Sequence, residues 1–296
     1  MEKKFSSIGI VCNPNVVEKE KDFITDTLKA VQNFIKDTDG EILTEHTVHE
    51  AIGKFLKCKE SNIKDMHCDM ILVFGGDGTI LHTLNAIQSV PIIGINLGRF
   101  GFMTELNKSN ATEKLENLFN GNFFIENYDM LNVNDKYDAV NEAVISYKFP
   151  ARLLDFKIKI NNLADARIFK VDKTLNKDKN TDVIDFSADG VVIATQTGST
   201  AYSLSLGGPI IHPAANAFVI TPMNPFLGNA KPLVVPSDSE IFINIERANE
   251  DAFLIIDGKV VEKVNAGDKI SVKKSKKVAK FIRLERTMRC AKIFKF

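Results

Sequence analysis

Three glycines surround one carboxylate at Gly75-Gly76-Asp77-Gly78, followed by Thr79, within the stretch LVFGGDGTILHTL of residues 72–84. Glycine loses more conformational freedom on folding than any other residue, so three in four positions need a backbone reason. At a strand-to-helix junction they let phosphate oxygens reach backbone N–H groups, and the helix N-terminus adds partial positive charge. A carboxylate beside a phosphate is repulsive unless a proton or a metal ion offsets it. Two roles are therefore open to Asp77: accepting the proton of an attacking hydroxyl, or holding Mg2+ against a nucleoside triphosphate. Phosphoryl transfer passes through a loose transition state, so such a base needs placement more than strength. The pattern is neither G-x-G-x-x-G nor a Walker P-loop, since no Gly-Lys-Ser/Thr follows. A tight turn in which Asp77 merely caps the helix is the plainer alternative.

A second constellation is DGVVIATQTGSTAYSLSLGGPI, residues 189–210. Thr195, Thr197, Ser199, Thr200, Ser203 and Ser205 place hydroxyls around Gly198, beside the aromatic ring of Tyr202. A strand at 191–194 delivers this loop and a short helix around 200–206 leaves it, stopped by Gly207-Gly208-Pro209. Such a loop suits sugar hydroxyls and phosphates.

The elements that must position these residues follow from periodicity. Ile8–Cys12, Met70–Phe74 and 91–95 are short apolar runs of strand type. Between and after them, Ile24, Leu28, Val31 and Ile35 make one helical face, Ile80, Leu84 and Ile87 a second, with its helix starting near Thr79, and Ala111, Leu115, Leu118 and Phe119 a third, ended by Asn120-Gly121. Alternating strands and helices predict a parallel sheet covered by helices. From about residue 126 the rhythm changes: Phe156, Ile158 and Ile160 alternate with lysines, and Ile241, Ile243 and Ile245 alternate likewise. Further strands are expected at 139–146, 165–171, 190–194, 217–221, 232–235, 252–256 and 278–284, with 173–182 an exposed hairpin loop. The expected fold is an α/β N-terminal domain with a parallel sheet (1–125, carrying GGDGT), a β-rich, sandwich-like domain (126–275), and a C-terminal segment (276–296) returning to the first.

Composition narrows the class. Hydrophobic residues make up 44% and charged residues 26% of 296, the balance of a folded enzyme rather than a disordered chain. No apolar run has the length of a membrane span, and MEKKFSSIGIVCNPN reads as a strand and turn rather than a signal peptide. Cys12, Cys58, Cys68 and Cys290 have no framework spacing, which suits a reducing cytoplasm. Cys58, His67 and Cys68, with His46 and His49 nearby, match no zinc pattern. Net charge is zero, but residues 259–296 hold thirteen Lys or Arg against three Asp or Glu. That excess reads as solvated turns and strand faces rather than as a nucleic-acid surface.

GGDGT at 75–79, GRFGFMTEL at 98–106, the Asn141-Glu142 pair and the 189–210 block resemble, in this order, the NAD kinase family; the likeness spans roughly residues 70–258. GGDG alone also occurs in lipid kinases of the diacylglycerol and sphingosine type and in phosphofructokinases. The resemblance implies phosphoryl transfer from ATP, with Mg2+, to the 2′-hydroxyl of the adenosine ribose of NAD, giving NADP. It implies that Asp77 is the base and that Gly75, Gly76, Gly78 and Thr79 line the phosphates, Gly78 also touching NAD. Asn141 and Glu142 would hold the ribose hydroxyls by paired hydrogen bonds; on its own such a dipeptide reads as a solvated turn. Phe102 would lie against adenine, Thr197 and Thr200 would contact the adenine end, and Asp189, Ala201, Tyr202 and Ser205 would shape the nicotinamide side. No side chain is assigned as a direct metal ligand. A homodimer or homotetramer, with no nucleic-acid or membrane partner, is the implied assembly.

Three positions depart from the family pattern. Gln196 stands where proline is usual, which loosens a turn that proline would pre-set. Phe226 falls where histidine is common and Lys231 where arginine is common. A GGDGT-type lipid kinase and a non-catalytic dinucleotide-binding sensor are the alternatives; the first lacks a reason for the 195–208 loop, and the second for an intact Asp77.

Overall fold

Met70–Phe74 is buried along its whole length because it lies between two parallel strands, Ile8–Cys12 and Ile92–Asn96. Strands covered on both faces read as continuous apolar runs rather than alternations. The computed structural model describes residues 5–36, 40–88, 90–98, 101–148, 152–161, 181–228, 230–248 and 251–286. They form two compact units, one of residues up to Asn127 together with those from Ala279, the other of Tyr128–Val278.

In the first unit the strand order is Lys59–Glu60, Ile42–Thr44, Ile8–Cys12, Met70–Phe74, Ile92–Asn96, all parallel. Phe281, near the end of the strand Lys269–Arg283, pairs in parallel with Ile92. The helix Lys21–Ile35 buries Ile24, Leu28, Val31 and Ile35, the face its periodicity predicts. Ala111–Phe119 buries Ala111, Leu115 and Leu118 and stops at Gly121, whose φ of 87° suits glycine at a helix end. Asp77–Ala86 corrects the expected helix at both ends. It starts at Asp77 rather than near Thr79, and Ile87 lies beyond it in an extended conformation (φ −143°, ψ 120°), so Ile80 and Leu84 carry the buried face with Thr83.

The second unit holds two antiparallel sheets. One has the order Leu233–Pro236, Ala217–Met223, Gly190–Ala194, Glu142–Tyr147, Ala252–Ile256, Lys259–Val264; the other has Thr181–Ala188, Leu154–Asn161, Glu240–Arg247 and the first part of Lys269–Arg283. Phe156, Ile158, Ile160, Ile241, Ile243 and Ile245 share one buried cluster with Ile145, Ile193, Phe218 and Leu254, so the inner faces make a sandwich core. The expected strand 139–146 is two strands, Tyr137–Ala139 and Glu142–Tyr147. The expected strand at 165–171 and most of the 173–182 loop lie outside the described residues, but Thr181 and Asp182 already belong to a strand.

Lys273, Lys274 and Lys277 pair with Asp135 (2.7 Å), Asp129 (2.7 Å) and Asp138 (2.9 Å), which places this part of the C-terminal charge on solvated strand faces. His49 Nδ1 lies 3.0 Å from Thr44 Oγ1 and 3.7 Å from Cys58 Sγ, while His46 meets Glu60 at 2.7 Å. Among the described residues no helix is long and apolar enough to cross a membrane, and no three or more His, Cys, Asp or Glu side chains are grouped to hold a metal ion.

Candidate active site

The glycine-rich turn leaves the C-terminal edge of the first unit's parallel sheet, where ligands bind in open α/β folds. Two backbone bonds fix that edge: Asn13 N–H to Phe74 C=O and Gly75 N–H to Ile95 C=O, both 2.9 Å. The glycines have different reasons. A Cβ on Gly75 would strike the Thr79 side chain, whereas Gly76 and Gly78 face open space with nothing described within 4 Å. Gly76 is the N-cap of Asp77–Ala86 and no side chain caps the helix, so the positive end of its dipole points to that space.

Asp77 does not cap its own helix, which corrects the plainer alternative. Its carboxylate accepts the backbone N–H of Phe102 at Oδ2 (2.8 Å) and of Met103 at Oδ1 (2.9 Å). Gly101 allows this approach, because a Cβ there would lie 2.8 Å from Asp77 Oδ1. The carbonyl of Met103 in turn accepts a bond from Arg283 Nη1 at 2.9 Å. Arg283 is 2% exposed and also reaches Glu126 (3.0 Å) and Glu105 (3.4 Å). Phe102 is half-buried in this loop; Arg99 and Phe100 lie outside the described residues.

In the second unit Asn141 and Glu142 open a central strand and are buried, at 8% and 7% exposure, rather than set in a solvated turn. Asp257 fixes them. It occupies the Asp257-Gly258 hairpin turn, with φ of 46° and 78°, a pair of left-handed residues that Asp-Gly favours. Its carboxylate accepts the N–H groups of Val140 (2.8 Å), Asn141 (2.8 Å) and Glu142 (3.1 Å), and its own N–H donates to Glu142 C=O (3.0 Å). Sequence reasoning passed over Asp257: the Asp-Gly dipeptide signals a turn, but the carboxylate's partners are more than 110 residues away. Burial pushes the Glu142 carboxyl up to about 7, and the Asp257 carboxylate adds to the rise.

The 195–205 loop packs against this pair. Thr195 N–H donates to Asn141 C=O (2.9 Å), Thr195 Oγ1 donates to Val140 C=O (2.6 Å), and a Cβ on Gly198 would collide with the Asn141 backbone. The hydroxyls divide into two groups. Those of Thr195, Ser199 and Ser203 hold the loop itself, through Val140 C=O, Gln196 C=O (2.7 Å) and Thr221 Oγ1 (2.8 Å). Thr197 Oγ1 is buried without a partner among the described residues, as are Asn141 Oδ1, Glu142 Oε2 and Gln196 Oε1. The bonds of Thr195 and Ser199 fix the turn at Gln196 that the sequence suggested was loosened. The expected helix around 200–206 is a 3-10 turn, Gly198–Thr200, then one α-turn, Tyr202–Ser205. Ala201 is half-buried there, Ser205 is exposed, Tyr202 is 42% exposed, and Thr200 Oγ1 donates to Thr197 C=O (3.1 Å).

The structure thus brings Asn141, Glu142, Thr197 and Gln196 together, with the Asp77 loop a separate constellation in the first unit. Asp189 stands at the opposite end of Gly190–Ala194 from Thr195, where it accepts a bond from Asn224 Nδ2 at 3.0 Å. Phe226 is exposed in the turn Phe226–Gly228, and Lys231 is exposed nearby.

Comparison with known proteins gives this geometry a family. The model described as ATP-NAD kinase N-terminal domain matches residues 8–123, and that described as ATP-NAD kinase C-terminal domain matches residues 140–284. The NAD kinase of Methanothermobacter thermautotrophicus is 35% identical over 94% of this chain and 92% of its own. That of Methanopyrus kandleri is 37% identical over 85% of each. Among solved structures, the yeast NADH kinase complexed with NADH aligns over 100% of this chain and 89% of its own, with a TM-score of 0.81 at 20% identity. The Archaeoglobus fulgidus NAD kinase in complex with ATP aligns over 98% and 97%, with a TM-score of 0.71 at 23% identity, so both likenesses speak to the fold. On the two domain matches and the curated relatives, the chain belongs to the ATP-NAD kinase family.

Proposed function

We propose that this protein transfers the γ-phosphoryl group of ATP to the 2′-hydroxyl of the adenosine ribose of NAD. The observation that carries this is the buried pair Asn141–Glu142, whose Oδ1 and Oε2 have no partner among the described residues. Buried polar atoms are rarely left unpaired. A vicinal diol supplies two O–H donors for two such acceptors, and Asp257 holds the backbone of both residues.

In the reaction the 2′-oxygen bonds to the γ-phosphorus, the bond to the β–γ bridging oxygen breaks, and ADP leaves. Asp77 takes the hydroxyl proton, a role worth about 10²–10⁴ in rate for a positioned base. The open backbone at Gly76 and Gly78, with Gly75 and Thr79 beside it and an uncapped helix N-terminus, supports a phosphate-binding role. Bound with ATP, Mg2+ would supply charge neutralisation at the phosphates; no protein side chain is assigned to it. Phe102, Thr197 and Thr200 are assigned to the adenine, and Asp189, Ala201, Tyr202 and Ser205 to the nicotinamide side. Three cysteines without disulfides (Cys12, Cys58 and Cys68) support a cytoplasmic setting, and the family likeness supports a homodimer or homotetramer. The test is an assay of the purified protein with ATP, Mg2+ and NAD, scored for 2′-phosphorylated product by phosphorus NMR. Absence of that product while a lipid is phosphorylated overturns the reading.

A further inference from the structure

Eight buried side-chain oxygens lack a hydrogen-bond partner among the described residues, and four belong to two short stretches of the second unit: Asn141, Glu142, Gln196 and Thr197. The stretches are joined by the bond from Thr195 N–H to Asn141 C=O. A ribose accounts for Asn141 and Glu142, and Thr197 Oγ1 can rotate to donate or accept. Oε1 of Gln196 is left over. Gln196 is 4% exposed, and burying an amide oxygen without a donor is costly.

Its side chain is not needed to shape the loop. Gln196 C=O is held by Ser199 Oγ (2.7 Å), which accepts Ile211 N–H (3.0 Å); Thr195 Oγ1 accepts Gly198 N–H (3.0 Å). The backbone is thus fixed by hydroxyls, and the amide is spare. An amide presents one donor and one acceptor side by side in a plane. That is the complement of adenine's 6-amino group and N7, whereas a 6-oxopurine offers two acceptors along the same edge. After the ribose hydroxyls, the 6-amino group is the remaining donor on adenosine.

We propose that Gln196 is a specificity-determining residue that reads the 6-amino group of the purine, so that the site selects adenine over 6-oxopurine dinucleotides. This rests on the second unit's polar cluster being the adenosine site. The discriminating probe is the 6-oxo analogue of NAD, in which hypoxanthine replaces adenine. Wild type is expected to favour NAD in kcat/KM by about tenfold to a hundredfold, the discrimination of one two-point amide–adenine pair. Gln196→Met, similar in volume and without polar atoms, is expected to reduce that ratio to below about threefold, while Gln196→Glu, which keeps an acceptor, retains part of it. Calorimetric Kd values for both dinucleotides accompany the kinetics. Equal use of the two dinucleotides by wild type, or an unchanged ratio in Gln196→Met, overturns the proposal. Tight NAD binding without phosphorylation overturns the kinase reading instead, and the Kd ratio then decides the role of Gln196. If Gln196→Met does not fold, Gln196→Leu takes its place in the same comparison, and an unchanged ratio in that protein overturns the proposal.

Discussion

Asp77 and Arg283 grip the same residue from its two backbone ends: the carboxylate accepts the N–H of Met103 at 2.9 Å while the guanidinium donates to its carbonyl at 2.9 Å. The loop carrying Phe102 is therefore pinned by one side chain assigned to chemistry and another, Arg283, assigned no part in it. The two should separate in experiment.

Asp77→Asn is expected to lower kcat by at least about a hundredfold, as loss of a positioned base should. It keeps one of the two acceptors for the Phe102 and Met103 N–H groups, so the Kd for NAD should rise by much less than kcat falls. Calorimetry beside steady-state rates checks it. A near wild-type rate would reduce Asp77 to a loop clamp.

Arg283→Met, by contrast, should act on stability first. It removes a buried charge that two carboxylates face, and leaving Glu105, which is 3% exposed, without that partner is expected to cost about 3–5 kcal/mol, read from urea unfolding. At a temperature where the variant remains folded, its activity should fall less than that of Asp77→Asn.

Asp257→Ala strips the acceptor from three buried N–H groups. Hydrogen bonds to a charged group contribute about 1.5–3 kcal/mol each and are not additive, so a loss of about 3 kcal/mol or more is expected. The KM for NAD should rise at least about tenfold, because the backbone under Asn141 and Glu142 is no longer held. Asp257→Asn, which keeps one acceptor oxygen, should fall between.

Glu142 makes the protein sensitive to pH in a defined direction. Its carboxyl sits near 7 when folded against an ordinary 4.5, so between these values the folded state holds a proton that the unfolded chain has released. Stability contributed by the neutral form is thus present below about 4.5 and declines as pH rises through 7, by on the order of 3 kcal/mol. NAD binding should move the other way, since the ionised carboxylate is the better acceptor for ribose hydroxyls: the KM falls from pH 6 to pH 8. Glu142→Gln should flatten both profiles.

Gly78→Ala tests the open space at the helix start. Nothing described would meet the new methyl group, and alanine is the better helix former by about 1 kcal/mol, so the variant should be no less stable than wild type. A rise in the KM for ATP or NAD would then report a ligand at that position rather than a folding defect.

The parallel strands and helices of the first unit were legible because their periodicities are strong: Ile24, Leu28, Val31 and Ile35 all turned inward. Phe124–Val133 was missed because its polar residues, Glu126, Asn127 and Asp129, obscure the alternation, and Lys259–Val264 because it is largely solvent-facing. The strand-to-helix turn at Asp77 and the strand that delivers the 195–205 loop showed in residue type and spacing. Glu142 looked solvent-exposed, since no local pattern says that a carboxylate opens a central strand. Asp257 and Arg283 stayed invisible for a deeper reason: each acts on backbone groups more than a hundred residues distant, and sequence spacing carries no trace of a contact that only tertiary folding creates.

The pairing of Phe281 with Ile92 sets an order on the birth of the molecule. A ribosome delivers the first 127 residues, with Asp77 and its loop, well before Arg283 exists. Until Lys269–Arg283 emerges, Glu105 and Glu126 lack Arg283 and the Met103 carbonyl lacks its bond to that guanidinium. The intervening unit, bounded by its own sandwich core, can condense during that interval. The loop around Met103 is then completed late, only once Lys269–Arg283 has been delivered and Arg283 reaches the Met103 carbonyl.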